Sequence, residues 1–328
     1  MSPLLDIRDL SVRFVTDDGP VQAVSDVSFR LEEKQVLALV GESGCGKSVT
    51  AMSILGLLPT SAETSGIVSF DGNNMLAMSS GQMQQIRGKE ISMVFQEPMT
   101  SLNPVFTVGR QVGEVLRRHE GLSRGAATKR AAELFDLVGI PAPARRVKEY
   151  PHQLSGGMRQ RVMIAMAVAC NPKILIADEP TTALDVTIQA GILDVMRDLR
   201  DQLGTSVLLI THDLGVVADI AERVVVMYAG RKVEEADAQE LFTHPQHPYT
   251  MGLLGAMPRV GVMRGGGNRL QEIPGLVPSL SAPPDHCVFA PRCPRADERT
   301  RSELPALTEE RPDHFVACFY PGERGGAR

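Results

Sequence analysis

Gly41, Glu42, Ser43, Gly44, Cys45, Gly46, Lys47 and Ser48 read GESGCGKS, a run whose chemistry suits a triphosphate. Its glycines let backbone N–H groups approach phosphate oxygens closely, so dense negative charge is held without burying an unpaired side-chain cation. The spacing is that of a phosphate-binding loop, and its context agrees: the apolar run LALV precedes it and VTAMSILGLL, which reads as a helix, follows from Val49. Lys47 would reach the β and γ phosphates, and the Ser48 hydroxyl would bind Mg²⁺. Val49 completes the nucleotide-binding stretch, and Cys45 reads as loop filler rather than a nucleophile. The plainer reading, a glycine-rich turn with no ligand, leaves the full spacing and context unexplained.

A second group of reactive side chains lies in KILIADEP, where Asp178 and Glu179 end an apolar run. Asp178 can hold Mg²⁺ through water, and Glu179 can polarise an attacking water as general base. Two acids that merely favour the start of the next helix are the structural alternative. Three thiols, Cys287, Cys293 and Cys318, fall near the C-terminus. They could surround a soft metal or be buried, reduced cysteines.

These groups need a scaffold, and the patterning supplies one. LALV, ISMVFQ, KILIADE and SVLLITHD are unbroken aliphatic segments, the pattern of strands buried on both faces of a parallel sheet. LDIRDLSVRFV, AVSDVSFRL and GIVSF alternate instead, as twisted antiparallel strands do. Between Thr107 and Tyr150 the apolar spacing is helical, with Val112, Val115, Leu116, Leu134, Phe135 and Val138 before Gly139 and Pro141. Beyond about residue 235, Pro and Gly become frequent, as in GLVPSLSAPPDH, and RGGGN at 264–268 reads as a flexible turn. The predicted fold is α/β: a mostly parallel sheet flanked by helices, an N-terminal antiparallel β-subdomain and an inserted helical subdomain, plus a small irregular C-terminal domain.

Composition narrows the function classes. The 328 residues are 43% hydrophobic, ample for a buried core, and carry a net charge of −5 with no long basic run, so no nucleic-acid partner is expected. The longest apolar run, Val162 to Cys170, is less than half of the roughly 20 residues a membrane helix needs. Asp6, Arg8 and Asp9 interrupt the N-terminus where a secretory signal would be apolar. The five cysteines are an odd number and do not suggest a disulfide framework.

LSGGMRQRVMIAMAVA, directly upstream of KILIADEP, resembles the signature of ATP-binding cassette (ABC) proteins, LSGGQ and its helix. The resemblance extends in order along the chain: Gln96 in VFQEP matches the Q-loop, Asp185 in TTALD the D-loop and His212 in LLITHD the switch histidine. It implies that Ser155, Gly156 and Gly157 bind the γ-phosphate of ATP held by a partner subunit. Gln96 would sense Mg²⁺ and the membrane partner, His212 would contact the γ-phosphate, and Asp185 would link the two sites. Phe14, in the first strands, is the candidate for stacking on adenine, or is core. The catalytic set would be Glu179, His212 and Gln96, with Ser48, Gln96 and Asp178 around Mg²⁺. Met158 stands where the commoner signature has Gln, which implies a heterodimer with a second, similar ATPase.

FQEPMTSLNPVFTVGRQV, HPQHPYT, GLVPSL and PRCP are similar to the dipeptide and oligopeptide importer branch, which also serves nickel and other small solutes. The resemblance divides the chain into a nucleotide-binding domain over 1–235, with its helical subdomain at about 97–160, and a C-terminal extension over 236–328. It implies an ATPase at the cytoplasmic face of the membrane, held there by two permease subunits that an extracytoplasmic solute-binding protein supplies. A non-transport ABC ATPase or an exporter would be expected to carry further cassettes, insertions or fused membrane helices. Relatives with PRCP often carry a fourth cysteine and a [4Fe–4S] cluster. Here that place holds Thr300, leaving three readings of Cys287, Cys293 and Cys318: a cluster with another fourth ligand, zinc completed by His286 or His314, or no metal. His244 and His247 are read as capping and packing residues.

Overall fold

The computed structural model describes residues 3–96, 101–182, 185–257 and 273–322, so the expected turn at 264–268 lies outside the described residues. Its strands are β1 Leu5–Thr16, β2 Gly19–Leu31, β3 Val36–Val40, β4 Ala62–Phe70, β5 Asn73–Asn74, β6 Ile91–Val94, β7 Ile174–Asp178, β8 Ser206–Thr211, β9 Arg223–Tyr228, β10 Arg231–Asp237, β11 Thr308–Arg311 and β12 His314–Val316. The chain is α/β and forms two compact units. One is built mainly from Leu31–Val36 and Ala77–Ile210, the other from Leu5–Arg30, Leu37–Leu76 and the residues from Thr211 onward.

In the first unit β6, β7 and β8 run parallel, with Ile91 opposite Ile174 and Ile174 opposite Ser206. Every residue of β7 and β8 is buried, which is why ILIAD and SVLLIT carry no polar alternation. The helical segment begins with Val108–Glu120, whose first turn is capped by the Thr107 hydroxyl and whose last residue meets Gly121 at φ 68°. The next helix, Arg124–Leu137, is capped by Ser123. Val112, Leu116, Leu134, Phe135 and Val138 are fully buried, as their helical spacing requires. Gly109 allows close packing there: a Cβ at that position would stand 2.4 Å from the Val147 carbonyl oxygen.

The second unit holds a four-stranded sheet in the order β2-β1-β4-β5. β1 and β4 are antiparallel, from Leu5 opposite Phe70 to Phe14 opposite Ala62, with a register shift between Arg8 and Ser11. In its other sheet β3 and β9 are parallel, Leu37 opposite Arg223, and β10 returns antiparallel on β9. β9, RVVVMY, is a buried run of the same type as LALV. The C-terminal segment is loop-rich, as its Pro and Gly content implies, yet it adds β12 to β10, with Glu234 opposite Val316, and β11 beyond it. Tyr228, Tyr249 and Phe289 bind this segment to the core, with ring centroids 4.7 to 5.5 Å apart. Each such tilted or edge-on contact contributes about 0.5–1.5 kcal/mol beyond the area it buries.

Glu234 anchors the same seam. Its buried carboxylate accepts the backbone N–H of Gln246 and His247, and it lies 2.7 Å from Nε2 of the fully buried His314. Burial alone would lower the His314 pKa, but hydrogen bonds and charge from Glu234 and Glu240 outweigh it and raise the value. The folded state thus holds this proton more tightly than the unfolded chain. The stabilisation is complete below about pH 6.5 and is lost as pH rises through the raised value. His247, neutral and pushed down to about 4 by burial, acts in the opposite sense, its contribution falling away only as pH drops below about 6.5. His314→Gln should therefore lower the melting temperature more at pH 6 than at pH 8.5. Equal losses in thermal melts at the two values would refute the assignment.

No helix among the described residues is long and apolar enough to cross a membrane.

Candidate active site

The phosphate-binding loop lies between the buried strand β3 and the helix Lys47–Ile54, in the second unit. Gly41 at φ 150° and Gly46 at φ 96° adopt conformations that L side chains rarely take. A Cβ on Gly41 would stand 2.2 Å from the Met227 carbonyl oxygen, and one on Gly46 2.5 Å from that of Ala23. Gly44, at φ 80°, faces open space. The loop is thus pressed against β9 and β2 at two points and open at a third, with a helix N-terminus behind it. Such a shape suits phosphate oxygens. Lys47 is buried, its amine donating to the carbonyls of Gly41 at 2.7 Å and Glu42 at 2.9 Å. Cys45 is fully buried with its thiol pushed up by burial, so it packs and does not attack. Ser48 and Val49 are half-buried in the first turn of the helix. Phe14 is half-buried toward the exposed end of β1, opposite Ala62.

In the first unit, Asp178 is the last residue of β7 and is buried. Glu179 follows at φ 46°, a left-handed backbone uncommon for a residue with a side chain, and its N–H donates to the Ile210 carbonyl. Its carboxylate accepts Gln96 Nε2 at 2.7 Å and the Thr182 hydroxyl at 2.9 Å. A strained backbone and two side-chain donors fix the carboxylate in one orientation, as a general base needs. Gln96 was found by its order along the chain; Thr182 was missed, although it lies only three residues on, where a local turn donates its N–H to the Glu179 carbonyl and returns its hydroxyl to the carboxylate. His212 is exposed, directly after β8.

The signature residues also lie in the first unit. Ser155 caps the helix Gly156–Ala167, its hydroxyl accepting Met158 N–H, and Asp185 caps the helix Val186–Leu203 through Ile188 N–H. The two helix starts touch: a Cβ on Gly157 would stand 2.6 Å from the Ile188 side chain. Ser155, Gly156 and Asp185 are exposed, and Val186 beside them is 81% exposed.

The metal expectation for the thiols is overturned. No group of three or more His, Cys, Asp or Glu side chains among the described residues could hold a metal ion. Cys287, Cys293 and Cys318 are neighbours, and each thiol is pushed up mainly by burial, Cys318 to about 11. The Cys293 and Cys318 sulfurs accept the N–H groups of Arg295 and Tyr320. Thr300 completes a helix cap with Asp297, while His286 pairs with Asp285 and His314 with Glu234. Among the described residues neither the iron–sulfur cluster nor the zinc ion has a ligand set. His247 caps the helix Pro248–Gly255 through Tyr249 N–H, while His244 pairs with Glu240.

Comparison with known proteins agrees with this geometry. Residues 24–182 match the ABC transporter family, and residues 233–299 match the C-terminal region of oligopeptide/dipeptide transporters. The protein named probable peptide ABC transporter ATP-binding protein y4tR of Sinorhizobium fredii is 53% identical over 98% of this chain and 96% of its own. The dipeptide transport ATP-binding protein DppD of Bacillus subtilis is 50% identical over 99% of this chain and 96% of its own. Among solved structures, an ATP-binding cassette dimer in a post-hydrolysis state with ADP and Pi superposes with a TM-score of 0.64 at 28% identity, covering 71% of this chain and 98% of that one. A subunit of the cbiONQ ABC transporter complex of Clostridium perfringens gives 0.62 at 26% identity over 74% and 92%. The chain belongs to the ATP-binding proteins of ABC transporters, ATPases that act with membrane permeases, in the branch that carries the oligopeptide/dipeptide C-terminal region.

Proposed function

We propose that the chain hydrolyses ATP as one half of a heterodimer with a second, similar ATPase, driving two permease subunits that import di- and oligopeptides delivered by an extracytoplasmic binding protein. The observation that carries the hydrolytic part is the Glu179 carboxylate, held by Gln96 and Thr182 at the end of β7. Gly41 to Val49 hold the triphosphate; Ser48, Gln96 and Asp178 hold Mg²⁺, which neutralises charge on the phosphates when bound. Glu179 takes a proton from water as it attacks, and His212 contacts the γ-phosphate. Phe14 is assigned to the adenine. Ser155, Gly156 and Gly157 serve the partner's nucleotide, Asp185 connects the two sites, and the exposed Val186 suits burial in that dimer. ATP closes the dimer and hydrolysis resets it. The chain is read as a nucleotide-binding domain over 1–235 and an extension over 236–328, peripheral at the cytoplasmic face of the membrane.

Both parts can be tested. A deletion strain complemented with this chain should recover uptake of labelled di- and oligopeptides; recovery of nickel uptake alone would reassign the cargo. The purified chain alone should hydrolyse ATP slowly, and addition of the partner ATPase should accelerate it. Full turnover by a dilute monomer would remove the dimer.

A further inference from the structure

Glu42, the second residue of the phosphate-binding loop, is held from outside the loop by the segment that follows β10. Arg292 grips its carboxylate as a fork, Nη1 to Oε2 at 2.7 Å and Nη2 to Oε1 at 3.1 Å. The guanidinium is itself fixed: Nε donates to the Pro274 carbonyl, Nη2 to that of Ile273, and its side chain is 5% exposed. Tyr249, fully buried, accepts the Glu42 backbone N–H on its hydroxyl at 2.8 Å. The carbonyls of Gly41 and Glu42 are also the acceptors of the Lys47 amine. Arg292 and Tyr249 therefore clamp Glu42, one of the two residues whose carbonyls orient the lysine. Both come from motifs, PRCP and HPYT, whose role nothing else in the site explains.

We propose that Arg292 and Tyr249 are positioning residues for ATP binding, so that the C-terminal segment sets how tightly this chain holds its nucleotide. The proposal rests on the reading of residues 41–49 as the ATP site. A bidentate Arg–carboxylate pair fixes direction as well as distance, and a point charge does not replace it. With the clamp in place the loop is preorganised. Without it, part of the binding free energy is spent on ordering Glu42, in ground and transition states alike, so KM rises while kcat holds.

The test uses the complete transporter reconstituted in liposomes, with Tyr249→Phe, Arg292→Lys and Arg292→Gln. Tyr249→Phe and Arg292→Gln should each raise KM and the dissociation constant for ATP by about fivefold to twentyfold, with kcat within about twofold. Arg292→Lys, which keeps the charge and loses the fork, should fall between Arg292→Gln and the wild type. Glu42→Gln combined with Arg292→Gln should be little worse than either single change, since both break one contact. A role in stability alone would lower the melting temperature and the fraction of active sites but leave KM unchanged, and an unchanged KM in folded Tyr249→Phe and Arg292→Lys would overturn the proposal. Failure of the underlying reading looks different: Lys47→Ala would then leave ATP affinity as in the wild type.

Discussion

Glu179→Gln should lower ATP turnover by about two to four orders of magnitude, the range a positioned general base contributes. That is about 3 to 5 kcal/mol of transition-state stabilisation. Gln keeps the volume and can still meet Thr182, but it cannot accept a proton from water. Its amide would also meet the Gln96 side chain, now at 2.7 Å from a carboxylate oxygen, through a neutral contact weaker than a charge-assisted one. ATP affinity should change little, because the cradle lies at residues 41–48. Single-turnover hydrolysis and equilibrium nucleotide binding measured on one preparation separate the two effects. Near-normal turnover, or binding lost together with turnover, would remove Glu179 from the role of base.

The second large effect concerns the cradle itself. Gly46→Ala would place a methyl 2.5 Å from the Ala23 carbonyl oxygen and 3.4 Å from side-chain carbons of Met227 and Val24, at a φ of 96°. Neither backbone can give way cheaply, since Ala23 lies within β2 and Gly46 caps the helix that starts at Lys47. Overpacking of this kind costs about 1–3 kcal/mol, and the unfavourable backbone adds to it. The strain falls where phosphate oxygens and Lys47 must meet, so ATP affinity should drop by about a hundredfold or more, with a loss of melting temperature. Gly44→Ala is the control: its φ of 80° is also unfavourable, but its Cβ meets nothing within 4 Å, so its thermal loss should be clearly smaller. Calorimetric titration with ATP checks both, and wild-type affinity in Gly46→Ala would sink the argument.

The loop was legible because its chemistry depends on consecutive residues, each with a local reason for its type. The buried strands β7 and β8 were legible because a run with no polar alternation has no solvent face. β9 has the same texture but was passed over, since its parallel pairing with β3 joins residues almost two hundred positions apart. The Gln96 to Glu179 contact spans 83 positions and the Glu42 to Arg292 pair 250; no periodicity encodes either. The cysteines failed for a related reason. Three thiols near one end of the chain left a metal open beside plain reduced cysteines, but a ligand set is decided by how the fold gathers side chains, and none gathers among the described residues.

β12 lies on β10, β10 on β9 and β9 on β3, and β3 leads directly into the phosphate-binding loop. A strand from the last part of the chain is thus three hydrogen-bonded neighbours away from the strand that leads into the proposed nucleotide site. Grafting this tail onto another ATPase is therefore a sheet-matching problem: the recipient must offer an edge with the register of Glu234 against Val316 and a rim shaped for Tyr249 and Phe289. The tail is inherited with its strand partners or not at all.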